Sequence, residues 1–192
     1  MKRLLLIATV AVTSVTFSQK GKASSAGLAF KAYWQEKLSG GDPETQAKEL
    51  HDAMVFIDEA YAHEDTKNDP KTLMYYGKIH IEIPMCAVAT GDEKLSAIDA
   101  EKSIKDGFAS LIRLREVDVK ERYVDDADDY CKFYRGQYSN IGSKMYDEKK
   151  WSEASQALIG AGMFGEAMGL SDSLYFLYGG LAAFNIDSLE FA

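Results

Sequence analysis

The sequence is poor in the residues that interrupt helices or staple small folds. Only three prolines and two cysteines occur among 192 residues, and proline is the residue that breaks a helix interior. No stretch shows the sustained two-residue alternation of a half-buried strand. These absences exclude a disulfide scaffold and predict an all-α protein with no significant β-sheet.

Basic residues are also few. Lys and Arg total 22 against 30 Asp and Glu, which gives a formal net charge of −8. Nucleic-acid binding depends on neutralising phosphates with Lys and Arg, so the balance argues against a nucleic-acid partner. Apolar residues make up 46% and charged residues 27% of the chain, as in ordinary globular proteins.

The first residues have the pattern of a secretory signal. Lys2 and Arg3 precede an apolar run from Leu4 to Val15, and small or polar residues follow it. Twelve helical residues span about 18 Å, which is short of a bilayer core of roughly 30 Å. We therefore expect cleavage after Ser18, so that residues 1–18 are a signal peptide and residues 19–192 one exported domain. The periplasm or cell envelope is the predicted location, with no transmembrane span after cleavage.

Few residues suit metal or redox chemistry. Export would allow a disulfide between Cys86 and Cys131, and two buried thiols remain the alternative. The three histidines, His51, His63 and His80, lack the short spacings of zinc ligands. We expect no metal and no cofactor.

Helical periodicity continues along the rest of the chain. Pro84 and the segment Met85–Asp92 are expected to interrupt it, and Ser39–Pro43 is expected to end the first helix and start the second. Seven helices are predicted: Ala26–Leu38, Pro43–His63, Lys71–Ile83, Glu93–Arg115, Asp125–Asp147, Trp151–Met168 and Ser171–Phe184.

A pattern of small and bulky residues accompanies these helices. An aromatic residue lies four positions before Gly142, small residues lie 12 and 19 after it, and a large apolar residue lies 16 after it. The residues in question are Tyr138, Ala154, Ala161 and Leu158. Partial versions surround Gly77 and Gly180. The pattern resembles the tetratricopeptide repeat (TPR), although the Gly142-to-Gly180 spacing is 38 residues rather than about 34. The resemblance implies a solenoid of antiparallel helix pairs.

The resemblance also implies a function. TPR proteins bind peptides or protein segments in a groove lined by the first helix of each pair. The family's inner-face positions correspond to nine candidate groove residues: Met74, Lys78, Ile81, Ser139, Ser143, Tyr146, Leu177, Leu181 and Phe184. We expect a non-enzymatic protein–protein interaction scaffold in the bacterial cell envelope, its partner a protein or peptide.

Other interpretations stay open. The last helix is apolar nearly all round, which leads us to expect a chain truncated at Ala192, with Leu177, Leu181 and Phe184 contacting a further repeat. A carbohydrate- or nutrient-binding envelope protein would use exposed tryptophans such as Trp34 and Trp151. The chain could equally be the non-catalytic leading part of an enzyme or sensor. No catalytic motif is found, and the acidic residues at 125–129 are expected to form a solvated helix N-terminus.

Overall fold

A computed structural model of the chain describes the backbone of residues 2–190 and the side chains of residues 21–186. Every regular element in this part of the chain is an α-helix, which confirms the all-α prediction. The eight helices are α1 Lys2–Ser39, α2 Pro43–Tyr61, α3 Pro70–Thr90, α4 Glu93–Ser96, α5 Ala100–Val117, α6 Val124–Asp147, α7 Trp151–Ala167 and α8 Ser173–Glu190.

The helices group into two units. Unit 1 extends from Met1 to Tyr123 and unit 2 from Val124 to Ala192. The predicted signal peptide, residues 1–18, lies outside the residues whose side chains are described, and its cleavage stays a prediction. Ala192, where truncation was expected, also lies outside the described residues. No helix in the described part combines the length and the hydropathy that a membrane span requires.

Helix α3 occupies the centre of unit 1. It packs against α1, α2, α4 and α5, and its residues from Thr72 to Ile83 are almost all buried, including three alternate isoleucines at 79, 81 and 83. A helix that buries nearly all of its side chains must be covered by neighbours on every side, and the covered residues of α3 include the polar Lys78, His80 and Glu82. This position determines which side chains of α3 a partner could reach.

Two glycines bring α3 and α5 into backbone contact. A Cβ atom added to Gly77 would lie 3.0 Å from the carbonyl oxygen of Gly107, and one added to Gly107 would lie 2.9 Å from that of Gly77. The absence of side chains at these two positions allows α3 and α5 to approach closely.

Aspartates start helices α2 to α5 of unit 1. Asp42 accepts a hydrogen bond from the backbone of Thr45 and is followed by Pro43. Gly40, with a φ of +68°, ends α1, so the predicted Ser39–Pro43 boundary is confirmed. Asp99 accepts from the backbone of Lys102. This cap starts a new helix, and the predicted Glu93–Arg115 helix is in fact two, α4 and α5.

The prediction that Pro84 ends the third helix is wrong. α3 continues through Pro84 to Thr90. A proline has no N–H for the carbonyl four residues earlier, here that of His80. The Ser103 hydroxyl on α5 donates to that carbonyl oxygen at 2.8 Å. A side chain from a neighbouring helix thus replaces the missing backbone donor.

Glu82 is a fully buried carboxylate in unit 1. The Tyr33 hydroxyl and the Lys37 ammonium on α1 both donate to its Oε2, each at 2.6 Å. A buried charge is tolerated when it is paired and hydrogen-bonded, and these contacts join α1 to the central helix α3.

In unit 2, α7 packs against both α6 and α8. The rings of Tyr134 and Phe164 stack at 5.2 Å, and Tyr130 meets Phe164 at 6.2 Å. A Cβ on Gly142 would lie 2.7 Å from the Leu158 side chain, so α6 and α7 are in close contact at this glycine. Cys86 in unit 1 and Cys131 in unit 2 are buried thiols and form no disulfide.

Candidate functional site

The structure separates the nine candidate groove residues into three groups. Met74, Lys78 and Ile81 lie in the interior of unit 1, with no more than 4% of each residue exposed. Helices α1, α2, α4 and α5 all pack against α3. These three residues are therefore closed to a partner, and the groove predicted around them is not an open surface.

The second group lies together in unit 2. Ser139, Ser143 and Tyr146 on α6 line a cleft of about 500 Å³, which we call the unit 2 cleft. Leu158 contributes from α7. The opposite wall comes from the start of α8 and the residues just before it: Ser171, Asp172, Leu174, Tyr175 and Tyr178. The size is within the range of ligand pockets, about 300–1,000 Å³.

Aromatic and hydroxyl groups shape the unit 2 cleft. The Tyr175 hydroxyl donates to Ser139 Oγ at 3.0 Å. The Tyr146 ring meets Trp151 edge-on at 5.2 Å and Tyr178 edge-on at 6.2 Å. These contacts connect α6 with α7 and α8 and leave a lining that is apolar with a few hydroxyls. Such a lining suits apolar anchors and a small number of hydrogen bonds.

One ion pair belongs to the wall of the unit 2 cleft. Arg135 donates from Nε and Nη2 to the two oxygens of Asp172, at 2.6 and 2.9 Å. The Arg135 guanidinium also lies 5.1 Å from the centre of the Tyr175 ring. The hydrogen bond to Asp172 raises the pKa of Arg135 above its usual value. Because Asp172 already holds this guanidinium, the pair serves to fix the wall.

The third group, Leu177, Leu181 and Phe184, lies on α8. Together with Leu174 and Tyr178 these residues form an exposed stripe, the α8 apolar face, in which each is between 42% and 69% exposed. Leu174 and Tyr178 also line the unit 2 cleft, so cleft and face are continuous. Gly180 lies among them, and a Cβ added there would meet nothing within 4 Å.

Unit 1 has a smaller cleft that the sequence did not suggest. It measures about 360 Å³ and lies where the end of α2, the middle of α3 and the start of α5 meet. We call it the unit 1 cleft. Its lining includes Asp58, Tyr61, Tyr76, His80, Asp99, Lys102 and Asp106. The i, i+4 spacing of Tyr76 and His80 predicts that these two lining residues share one face of α3. No local sequence pattern indicates that residues of α2 and α5 lie beside them.

Three stacked rings form a wall of the unit 1 cleft. Tyr61 stacks on Tyr76 with ring centres 3.9 Å apart, and Tyr76 stacks on His80 at 4.0 Å. Burial, and then the negative charges of Asp58 and Asp106, raise the pKa of Tyr76 well above its usual value. The phenol therefore stays neutral, and the carboxylates make the surroundings electronegative.

An Asp–His–Ser chain of hydrogen bonds crosses the same region. His80 Nε2 lies 2.9 Å from Asp58 Oδ1, and Nδ1 lies 3.1 Å from Ser103 Oγ. Ser103 is buried, and its hydroxyl also reaches the His80 carbonyl oxygen. A nucleophilic serine must instead present its oxygen to a substrate. The geometry gives this chain the role of joining α2, α3 and α5.

Neither tryptophan offers an open platform for a sugar ring. Trp34 is half-buried and packs on Phe30 with ring centres 6.0 Å apart, and the Lys37 ammonium lies 5.7 Å from its ring. Trp151 is half-buried against Tyr146. This packing does not favour the carbohydrate-binding alternative. Within the described residues no group of three or more His, Cys, Asp or Glu side chains is placed to hold a metal ion.

Comparisons with known proteins do not assign the chain to a family. No protein-family model, curated protein or solved structure matches it. Function is therefore argued from the two clefts and the α8 apolar face.

Proposed function

We propose that this chain is a non-enzymatic binding module of TPR-like helix pairs, and that unit 2 holds a segment of a partner protein. The observation that carries the proposal is the continuity of the unit 2 cleft with the α8 apolar face through Leu174 and Tyr178. Apolar patches of this kind on a soluble protein mark interaction sites. Six of the nine groove residues expected from the sequence lie in the cleft or on this face.

The TPR-like architecture is supported by the places where helices touch. Gly77 meets Gly107 and Gly142 meets Leu158, as the repeat pattern requires of its small residues. Unit 2 departs from the family spacing, and α3 is covered on more sides than a repeat helix would be. The proposed binding surface therefore belongs to unit 2 alone.

Charge indicates the chemistry of the partner segment. The α8 sequence carries no charged residue from Ser173 to Ile186, whereas residues 124–192 contain 11 acidic and 5 basic residues. An apolar segment would find matching surface on α8, and basic flanks would be attracted by the surrounding acidic residues. We propose an amphipathic helix with aliphatic anchors and Lys or Arg at its ends, which is a familiar way for a helix to occupy a groove.

Export is part of the same proposal. Cleavage after Ser18 would release the binding module into the periplasm or envelope, where its partner would be found. Mass spectrometry of the mature protein tests this directly, because the proposal expects an N-terminus at Gln19. An intact N-terminus on protein recovered from the cytosol would contradict the location and leave the groove untouched.

A designed peptide tests the groove without knowledge of the natural partner. The probe is a fluorescent amphipathic helix with Leu anchors and Lys flanks, and its comparator has the same anchors and Glu flanks. Fluorescence anisotropy with the full chain should show saturable binding of the Lys-flanked peptide and at least about tenfold weaker binding of the other. Binding that is weaker than about 1 mM for both peptides would overturn the proposal.

Matched variants locate the binding. Leu177→Asp and Ser143→Arg place charge or bulk on exposed positions of the α8 apolar face and the unit 2 cleft, and both should weaken binding about tenfold or more. Leu28→Asp is the control, since Leu28 is an exposed leucine on α1 in unit 1. If all three variants bind like the original chain, the peptide is held elsewhere.

A further inference from the structure

The unit 1 cleft has a chemistry unlike that of the unit 2 cleft. Three carboxylates line it, Asp58 from α2 and Asp99 and Asp106 from α5 and its cap. Its aromatic wall is the Tyr61–Tyr76–His80 stack. Carboxylates repel anions and attract cations, and an aromatic face also attracts cations. The cleft therefore favours a cationic ligand.

The end of α2 adds to the negative character. Tyr61 is the last residue of α2 and Ala62 is its cap, and both line the cleft. The last turn of α2 carries no basic residue. The C-terminal end of a helix has a partial negative charge that favours cations, so backbone and side chains act in the same direction here.

The chain already places one of its own cations at this cavity. The Lys102 ammonium forms an ion pair with Asp106, although most of the Lys102 side chain is exposed. The hydrogen bond to Asp106 and its charge raise the pKa of Lys102, with smaller contributions from the charges of Asp99 and Asp58. Lys102 contacts Asp106, and Asp58 and Asp99 line the same cleft, so a cation beside Asp106 would lie in a cleft that three carboxylates line.

The aromatic wall favours a flat cation. Tyr61 is 37% exposed, and a planar guanidinium can stack on a tyrosine ring while it donates two hydrogen bonds to a carboxylate. An alkylammonium can also lie over a ring and donate to a carboxylate, as Lys37 does, but it has no flat face to stack and no paired donors that match both carboxylate oxygens. The ring and the carboxylates thus select for a guanidinium.

We propose that the unit 1 cleft binds an alkylguanidinium group, which stacks on the Tyr61 side of the wall and takes the place of Lys102 beside Asp106. The group could belong to a free small molecule or to an arginine side chain of a protein, and the chemistry of recognition is the same. This site is separate from the proposed function of unit 2, and either can fail without the other.

The test uses the full chain and three probes. N-butylguanidinium, n-butylammonium and neutral butylurea are titrated while the ring resonances of Tyr61, Tyr76 and His80 are followed by NMR. The proposal expects saturable shifts with butylguanidinium, at least about threefold weaker binding of butylammonium, and none with butylurea. Equal shifts with all three probes, or no saturation with butylguanidinium, would overturn it.

Two variants give opposite expectations. Lys102→Met removes the competing ammonium and should tighten butylguanidinium binding roughly twofold to fivefold, which is the range that exposed ion pairs support. Asp106→Asn should weaken it by a similar factor or more. Asp125→Asn and Lys94→Met are the controls, because they make the same charge changes outside the cleft lining. If Lys102→Met binds no more tightly than Lys94→Met, the proposed competition is wrong.

A final comparison separates the two sources of guanidinium. An acetylated and amidated Ala-Arg-Ala peptide is titrated beside butylguanidinium. Tighter binding of the peptide would assign the site to a protein side chain, and tighter binding of butylguanidinium would assign it to a small molecule. Circular dichroism melting of each variant checks that the fold is retained, since Lys102 and Asp106 form a mostly exposed pair.

Discussion

Arg135 on α6 and Asp172, just before α8, form a two-bond ion pair at the wall of the unit 2 cleft. The Asp172 side chain is 14% exposed and that of Arg135 31%. Paired parallel hydrogen bonds of this kind fix geometry as well as add stability. Arg135 also contacts Tyr175, so it connects α6 with the start of α8 at two positions.

The first prediction concerns this pair. Arg135→Lys keeps the charge but loses one hydrogen bond and the stacking on Tyr175, so we expect a loss of about 1–2 kcal/mol in the free energy of unfolding. Amide hydrogen exchange should accelerate in the first turns of α8. The control is Lys132→Ala, which removes the exposed pair with Asp129 and should cost less than about 0.5 kcal/mol. Equal effects of the two variants would contradict the prediction.

The second prediction concerns Ser103 and the gap left by Pro84. Ser103→Ala removes the donor to the buried His80 carbonyl, and an unsatisfied buried acceptor costs about 1–3 kcal/mol. Ser110→Ala is the matched control, because Ser110 on α5 also donates to a carbonyl of α3, that of Leu73, at 2.9 Å. The N–H of Gly77 can serve Leu73 within the helix, so Ser110→Ala should cost less. Urea unfolding measures both.

A double-mutant cycle sharpens this prediction. Pro84→Ala restores an N–H four residues after His80, so Ser103→Ala should cost about 1 kcal/mol less in that background than in the original chain. If the cost of Ser103→Ala is the same in both backgrounds, the hydroxyl does not compensate for the proline.

The third prediction compares two glycines of the same helix. Gly136 and Gly142 both lie in α6, but a Cβ on Gly136 would meet nothing within 4 Å, whereas one on Gly142 would lie 2.7 Å from Leu158. Gly136→Ala should stabilise the protein by about 0.5–1 kcal/mol, since alanine favours helix. Gly142→Ala should destabilise it by about 1–3 kcal/mol through overpacking. Melting temperatures that move in the same direction would contradict this account of α6.

The fourth prediction concerns alkaline pH. Burial raises the pKa of the Cys86 thiol to about 11, against about 8.5 to 9 in an unfolded chain. Between these values the unfolded state loses a proton that the folded state keeps, so stability falls as pH rises from about 9 to 11, by up to about 2–3 kcal/mol. Cys86→Ala should show a smaller decline than the original chain in urea unfolding at pH 7, 9 and 11. Parallel declines would contradict it.

The same thiol should react slowly at neutral pH. Because the thiolate is the reactive form, Cys86 should resist iodoacetamide in the folded protein at pH 8 and react once the protein is unfolded in urea. Peptide mapping distinguishes Cys86 from Cys131.

Helix content and most helix ends could be predicted from the sequence because their causes are local. Aspartate before proline marked the start of α2, and Gly40 marked the end of α1. The prediction at Pro84 was wrong because the donor that replaces the missing N–H is the hydroxyl of Ser103, which lies in another helix. The split between α4 and α5 depended on the cap at Asp99, which periodicity alone did not reveal.

The candidate site was predictable only in part. Ser139, Ser143 and Tyr146 were candidates because the TPR resemblance assigns them to the inner face of one helix, and in the structure all three line the unit 2 cleft. The resemblance assigns Met74, Lys78 and Ile81 to the inner face of a repeat's first helix, whereas the structure buries all three in unit 1. No apolar run in the α3 sequence indicated that the helix is covered on all sides, because Lys78, His80 and Glu82 interrupt its apolar residues. The unit 1 cleft is lined by residues of three helices, so no local sequence pattern could predict it.

The contact that compensates for Pro84 joins two helices that are synthesised at different times. A ribosome releases α3 before α5, and Ser103 follows His80 by 23 residues. The His80 carbonyl therefore gains its side-chain donor only after Ser103 has been synthesised, so the contact that compensates for Pro84 belongs to a later stage of synthesis than α3 itself.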